Sequence, residues 1–298
     1  MNRLRPFPFV GHAPHILRKG LLNFIVEMCA DTGQVTTLAM GPRVAHVVTH
    51  PDHVRYVFSN TANYIKGTTL NNLRLLLGEG LVTSDGELWR RERSLVQAAF
   101  QRERMAGLLG LCVRPVQNML ANWDRGGAIT VLDMHREVRR LVFIISGLTL
   151  FGCNLEDNAD EARQALATAL GIVSDRNENA YALPLWVPTP GNLKLRKAIG
   201  ILDRHVEEII EQRRGSAAGD DVLSVLLRAK EAGSDTLTDR QLRDEVITLY
   251  LAGHDATAHS LTWVLYFLGF IPKCKRDCAR RRRGSSPAVH RRSTIFGT

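Results

Sequence analysis

Leu251-Ala252-Gly253-His254-Asp255-Ala256-Thr257 sits in the middle of a helical pattern that runs from about residue 238 to residue 270. Glycine in a helix interior costs roughly 1 kcal/mol relative to alanine. A carboxylate between apolar turns is expensive to bury unless it is paired or used. Small residues beside an acid at mid-helix therefore mark a place where something flat or bulky approaches the backbone. The start of this helix is also legible: Thr238 is a good N-cap, and Gln241 stands three residues on, as in a capping box. About 32 residues at 1.5 Å each give roughly 48 Å, enough to cross a whole domain. The second half (Leu261, Trp263, Val264, Leu265, Tyr266, Phe267, Leu268) is apolar nearly all round, so burial is expected there.

Working outward, the rest of the chain reads as mainly α with a small N-terminal β-sheet. Pro6, Pro8 and Pro14 predict an extended lead-in rather than a helix. An amphipathic helix follows over 20–32, then β-rich runs at 35–40 and 44–49 joined by Gly41-Pro42, a hairpin signal. Pro51 opens a helix through Phe58, where its missing N–H does no harm. Helical patterns recur at about 86–99, 102–123, 134–151, 159–176, 192–214, 220–231 and 239–270. Asn177–Asn192, with Pro184, Pro188, Pro190 and Gly191, reads as a loop.

The bulk composition narrows the class. With 298 residues and 45% hydrophobic content the chain can build a substantial core. No apolar run is long enough for a membrane helix, and Met1–Pro14 lacks the apolar segment of a signal peptide, so a cytoplasmic protein without a membrane anchor is expected. Five cysteines, irregularly spaced, imply no disulfide framework. The net charge of +9 is local: residues 271–298 hold nine Lys/Arg and one acid, which leaves 30 basic and 29 acidic residues before them. The expected division is therefore a domain over 1–270 and a basic, disordered tail over 271–298. Such a tail can attract nucleic acid nonspecifically, but no specific nucleic-acid partner is expected.

Two constellations carry chemistry. Trp89 and Arg93 are four apart on one helix and share a face. An indole N–H and a guanidinium together make a clamp for a carboxylate or phosphate, and the alternative is a packed Trp beside a surface Arg. Tyr64 and Lys66 lie upstream, and Lys66 is a further cation for the same anion. Asp255 is either a working acid or a carboxylate satisfied by an arginine or water. His254-Asp255 as a metal dyad lacks partners at suitable spacing, since His259 is five residues from His254 and off its face. Cys274 and Cys278 lack the paired spacing of a zinc site.

At this point three segments resemble one family. Ala252-Gly253-His254-Asp255-Ala256-Thr257, preceded by Leu242-Arg243-Asp244-Glu245-Val246, resembles the central oxygen-activation helix of the cytochromes P-450. Gly78-Glu79-Gly80-Leu81-Val82-Thr83-Ser84-Asp85-Gly86-Glu87-Leu88-Trp89-Arg90-Arg91-Glu92-Arg93 resembles the segment leading into that family's heme-propionate helix. Asp220-Asp221-Val222-Leu223-Ser224-Val225-Leu226-Leu227 resembles the run before the central helix. The resemblance implies heme as cofactor, with Trp89, Arg93 and Lys66 on its propionates. It implies that Ala252 and Gly253 leave room for dioxygen and that Asp255 and Thr257 serve proton delivery. An apolar small-molecule substrate and a ferredoxin-type electron donor follow from the same likeness.

Two departures shape the functional expectation. The family places Thr directly after the acid, where this chain has Ala256; Thr257 is one residue on, about 100° around the helix. The family's thiolate loop and its Glu-x-x-Arg helix follow the central helix, and no cysteine here has that context. A heme-thiolate enzyme without its thiolate loses the electron push on the O–O bond. The expectation is a truncated, frameshifted family member, inactive as it stands, with the pseudogene character concentrated after Phe270. The alternative is a non-enzymatic remnant that binds heme or an apolar ligand weakly.

Overall fold

The computed structural model describes residues 5–32, 35–40, 43–67, 69–124, 131–155, 159–178, 183–216, 219–232, 237–271 and 276. The chain divides into two compact units, Met1–Lys66 and Gly67–Thr298.

The first unit contains helix α1 (Ala13–Lys19), α2 (Leu21–Thr32), strands β1 (Val35–Met40) and β2 (Arg43–Val48), and α3 (Pro51–Ser59). The strands pair antiparallel with Val35 opposite Val48 and Met40 opposite Arg43. The Gly41-Pro42 turn expected between them lies outside the described residues. Phe24 and Met28 of α2 pack on Leu38 of β1 to form a small core. His12 fastens the lead-in to the sheet: its backbone N–H donates to the Ala39 carbonyl at 2.7 Å, and its Nδ1 accepts the Ala39 N–H at 3.0 Å. Gly11 makes this approach possible, because a Cβ there would lie 2.3 Å from the Ala39 carbonyl oxygen. The lead-in expectation needs correction. Ala13–Lys19 is helical because Pro14 falls in the first turn, where no N–H is required.

The second unit is all-helical among its described residues: α4 (Thr69–Leu77), α5 (Gly86–Ala99), α6 (Arg102–Asp124), α7 (Met134–Ser146), α8 (Ala159–Glu178), α9 (Pro190–Arg214), α10 (Val222–Glu231) and α11 (Asp239–Phe270). Helix α4 was absent from the sequence reading; its Asn71-Asn72 pair has low helix propensity, yet Leu76 and Leu77 are fully buried. Tertiary packing overrides propensity there. The pattern expected to 151 is α only to Ser146, after which Gly147–Phe151 widens into a π-helical turn closed by Gly152 at φ 67°. Pro115 lies inside α6 and leaves one turn without its N–H donor.

Helix α8 lies along α9 and α11 along α7. Leu195, Leu202, Leu223, Leu226, Leu242 and Ile247 are among the fully buried side chains of the core. Helix α11 starts at Thr238 with the full capping box: Thr238 Oγ1 accepts the Gln241 N–H at 3.2 Å, and Gln241 Oε1 accepts the Thr238 N–H at 2.9 Å.

Beyond Ala258, burial of α11 is one-sided. Leu261 and Leu265 pack against Val138 and Val142 of α7, whereas Trp263, Val264, Tyr266, Phe267 and Phe270 are exposed. The all-round burial expected of this half is therefore not found; no described element covers its outer side. The aromatic rings there cover one another instead, with Tyr266 and Phe270 at 4.5 Å between centroids.

Candidate heme-side face of helices α5 and α11

The lead-in to α5 is pinned to the central helix by two glycines and a carboxylate. Gly78 ends α4 at φ 62°, and a Cβ there would lie 2.1 Å from the Asp244 carboxylate. At Gly80 a Cβ would lie 2.6 Å from the Asp244 carbonyl oxygen. Between them the Glu79 N–H donates to Asp244 Oδ2 at 2.9 Å. Arg243 holds the other oxygen of Asp244 at 2.9 Å, donates to the Leu76 carbonyl at 3.1 Å and pairs with Asp203 of α9. The Gly-Glu-Gly segment thus needs its glycines because backbone meets helix, and buried Asp244 is the group they meet.

From this anchor α5 rises with Glu92, Val96 and Ala99 turned inward. Trp89 is half-buried at the edge of that inward stripe, and Arg93, one turn on, is exposed. Lys66 is half-buried and belongs to the N-terminal unit.

On α11 the buried stripe runs through Val246, Ile247, Leu249 and Tyr250 and resumes at Ala258. Ala252, Asp255, Ala256 and Thr257 lie outside it and are exposed. Asp255 is 55% exposed at its side chain, with His259 Nδ1 3.8 Å from its Oδ1. The side chain of His254 lies outside the described residues. Gly253, expected beside Ala252 on the approach face, is turned toward α7: a Cβ there would lie 2.7 Å from Leu150 Cδ1. The Ser146 hydroxyl also donates to the Gly253 carbonyl at 2.8 Å. Helix–helix contact is a sufficient reason for glycine at this position.

Sequence reasoning did not single out the buried carboxylates Glu92, Asp244 and Glu245 as a group. The signal was present, since Asp244-Glu245 lies inside an apolar window where acids are costly.

Burial disfavours the thiolate at two of the described cysteines. Cys153 is buried, and burial pushes its thiol up to about 11. Cys112 donates its thiol to the Leu108 carbonyl of its own helix at 3.7 Å, and burial raises it too. Cys29 is half-buried in the N-terminal unit, while Cys274 and Cys278 lie outside the described residues. Trp89 and Arg93 have the donor chemistry that a heme propionate takes, and burial at Cys112 and Cys153 disfavours the thiolate that its axial position takes. Among the described residues no helix is long and apolar enough to cross a membrane.

Comparison with known proteins points to one family. The family model "Cytochrome P450" matches residues 2–280. Cyclooctat-9-en-7-ol 5-monooxygenase of Streptomyces melanosporofaciens is 32% identical over 277 residues, covering 90% of this chain and 58% of the relative. Pentalenene oxygenase of Streptomyces avermitilis is 31% identical over 269 residues, covering 89% of this chain and 59% of the relative. The chain thus spans somewhat under three fifths of the length of these relatives. A match over nearly the whole chain makes this chain a member of the cytochrome P450 family, whose cofactor is heme.

Proposed function

We propose that this chain carries the propionate clamp and central helix of a heme-dependent monooxygenase that oxidises an apolar small molecule. The observation that carries the reading is Arg93, presented outward on α5 one turn beyond Trp89 on a family-matched segment. The indole N–H of Trp89 and the guanidinium of Arg93 would donate to the propionates. When bound, heme supplies the redox chemistry, and the protein supplies position and electrostatics. Ala252 would give a low surface on α11. Asp255, open to solvent and beside His259, would hold and pass a proton at its carboxylate. Thr257 is displaced from the position directly after the acid, so that relay would run through water or a substrate hydroxyl.

The substrate would resemble in polarity those in the relatives' names, cyclooctat-9-en-7-ol and pentalenene, and electrons would come from a ferredoxin-type partner. By itself this chain would bind heme without turnover, because burial disfavours the thiolate at Cys112 and Cys153 and no cysteine in the sequence has the family's thiolate-loop context. The test is a heme titration of the purified chain and its Arg93→Ala and Trp89→Phe variants. Saturable binding weakened at least several-fold by Arg93→Ala supports the clamp; equal binding by both variants and the parent removes it. A thiolate-type Soret band in the reduced, CO-treated sample would overturn the inactive reading.

A further inference from the structure

Two buried glutamates meet side chain to side chain, Glu92 on α5 and Glu245 on the first half of α11. Glu92 is 2% exposed and Glu245 is 1% exposed. Glu92 Oε2 accepts the Ser84 hydroxyl at 2.5 Å, which ties it to the lead-in turn. The Leu81 amide and the Glu92 carboxyl are the groups that reach the Glu245 carboxyl, and the Thr248 hydroxyl one turn on is buried without a partner. Gly80 packs on this spot, since a Cβ there would lie 2.4 Å from Thr248 Oγ1. Two ionised carboxylates in such a place would each lose their hydration and repel one another.

We propose that Glu92 and Glu245 hold one proton between them at neutral pH, and that this shared proton latches α5 to the central helix. The groups that set the charge of Glu245 favour this on balance. Burial is the largest, the Glu92 carboxylate the next, and Asp244 adds to it; the Leu81 amide opposes and is outweighed. Together they push Glu245 up to about 8. Arg243, the nearby cation on α11, is engaged with Asp244 and Asp203. Ionising the pair leaves two like charges in a sealed contact, and the helix carrying Trp89 and Arg93 then separates from α11 or admits water. The proton is a structural ligand of this interface, distinct from any proton delivered at Asp255.

The test is infrared spectroscopy of the full chain as a function of pH. The wild type shows the carbonyl band of a protonated carboxylic acid at neutral pH, sensitive to exchange into deuterium oxide, half lost near pH 8. Glu92→Gln moves that midpoint down, because the like charge is gone. The double variant Glu92→Gln/Glu245→Gln lacks the band. A wild type with no such band at neutral pH overturns the proposal, as does a band that survives unaltered in the double variant. Should the double variant fail to fold, an unmoved midpoint in Glu92→Gln overturns it equally.

Discussion

The Ser146 hydroxyl donates to the Gly253 carbonyl at 2.8 Å and so joins the last turn of α7 to the middle of α11. The glycine lets Leu150 come up against the helix backbone on the same side. An alanine on an open helix face would stabilise by up to about 1 kcal/mol relative to glycine. Here Gly253→Ala instead costs about 1–3 kcal/mol through overpacking, and Ser146→Ala costs about 1 kcal/mol. Urea denaturation followed by circular dichroism measures both. A Gly253→Ala variant more stable than its parent would show that the glycine is not held by α7.

A buried ion pair fixes the passage from α9 to α10. Arg213 and Asp221 meet at 2.8 Å, Arg213 Nε donates to the Ser224 hydroxyl at 2.7 Å, and Asp221 Oδ1 accepts the Ser224 N–H at 2.9 Å as the N-cap of α10. Asp221→Ala strands a buried guanidinium and removes a cap, for a loss of about 3–5 kcal/mol. Arg213→Met/Asp221→Ala is less destabilised than the two single changes added together, which a double-mutant cycle in urea reads directly.

The capping box offers a calibration against the open face. Thr238→Ala removes one side of a reciprocal pair and lowers stability by about 1 kcal/mol. Asp255→Asn and Thr257→Ala change exposed side chains and shift stability by less than about 0.5 kcal/mol. Thermal melts of the three variants check the contrast. Loss of stability at Asp255 or Thr257 comparable with that at Thr238 would contradict the exposure found for this stretch.

How far the sequence reached differs between elements for physical reasons. The bounds and cap of α11 were legible because a reciprocal Thr238–Gln241 signal and a long apolar period agree. Helix α4 was not, because Asn71-Asn72 lowers local propensity while Leu76 and Leu77 gain their burial from partners far along the chain. The widening after Ser146 escaped for a related reason: a π turn keeps the apolar content of a helix and changes only its phase. At the candidate site, the positions of Trp89 and Arg93 on one helix followed from spacing alone. The orientation of Gly253 did not, since composition marks a close approach without saying from which side. Here it is Leu150 that approaches.

The pH dependence of stability follows from Glu245. Its ordinary value of 4.5 is raised to about 8 in the folded chain, chiefly by burial and then by Glu92. Between those two values the folded state binds a proton that the unfolded state releases. The contribution is therefore fully present below pH 4.5 and is lost as pH rises toward 8, with a slope of at most about 1.4 kcal/mol per pH unit. His205 tilts the other way, because burial lowers it from 6.5, so its effect is confined to the acid side of that value. Glu245→Gln cannot release the proton and keeps the shape of the neutral acid. Urea midpoints from pH 6.5 to 8 should therefore fall in the parent and stay flatter in Glu245→Gln, with His205 common to both. Parallel curves would mean that Glu245 is ionised in the folded chain throughout, and that the contact between α5 and α11 tolerates the charge.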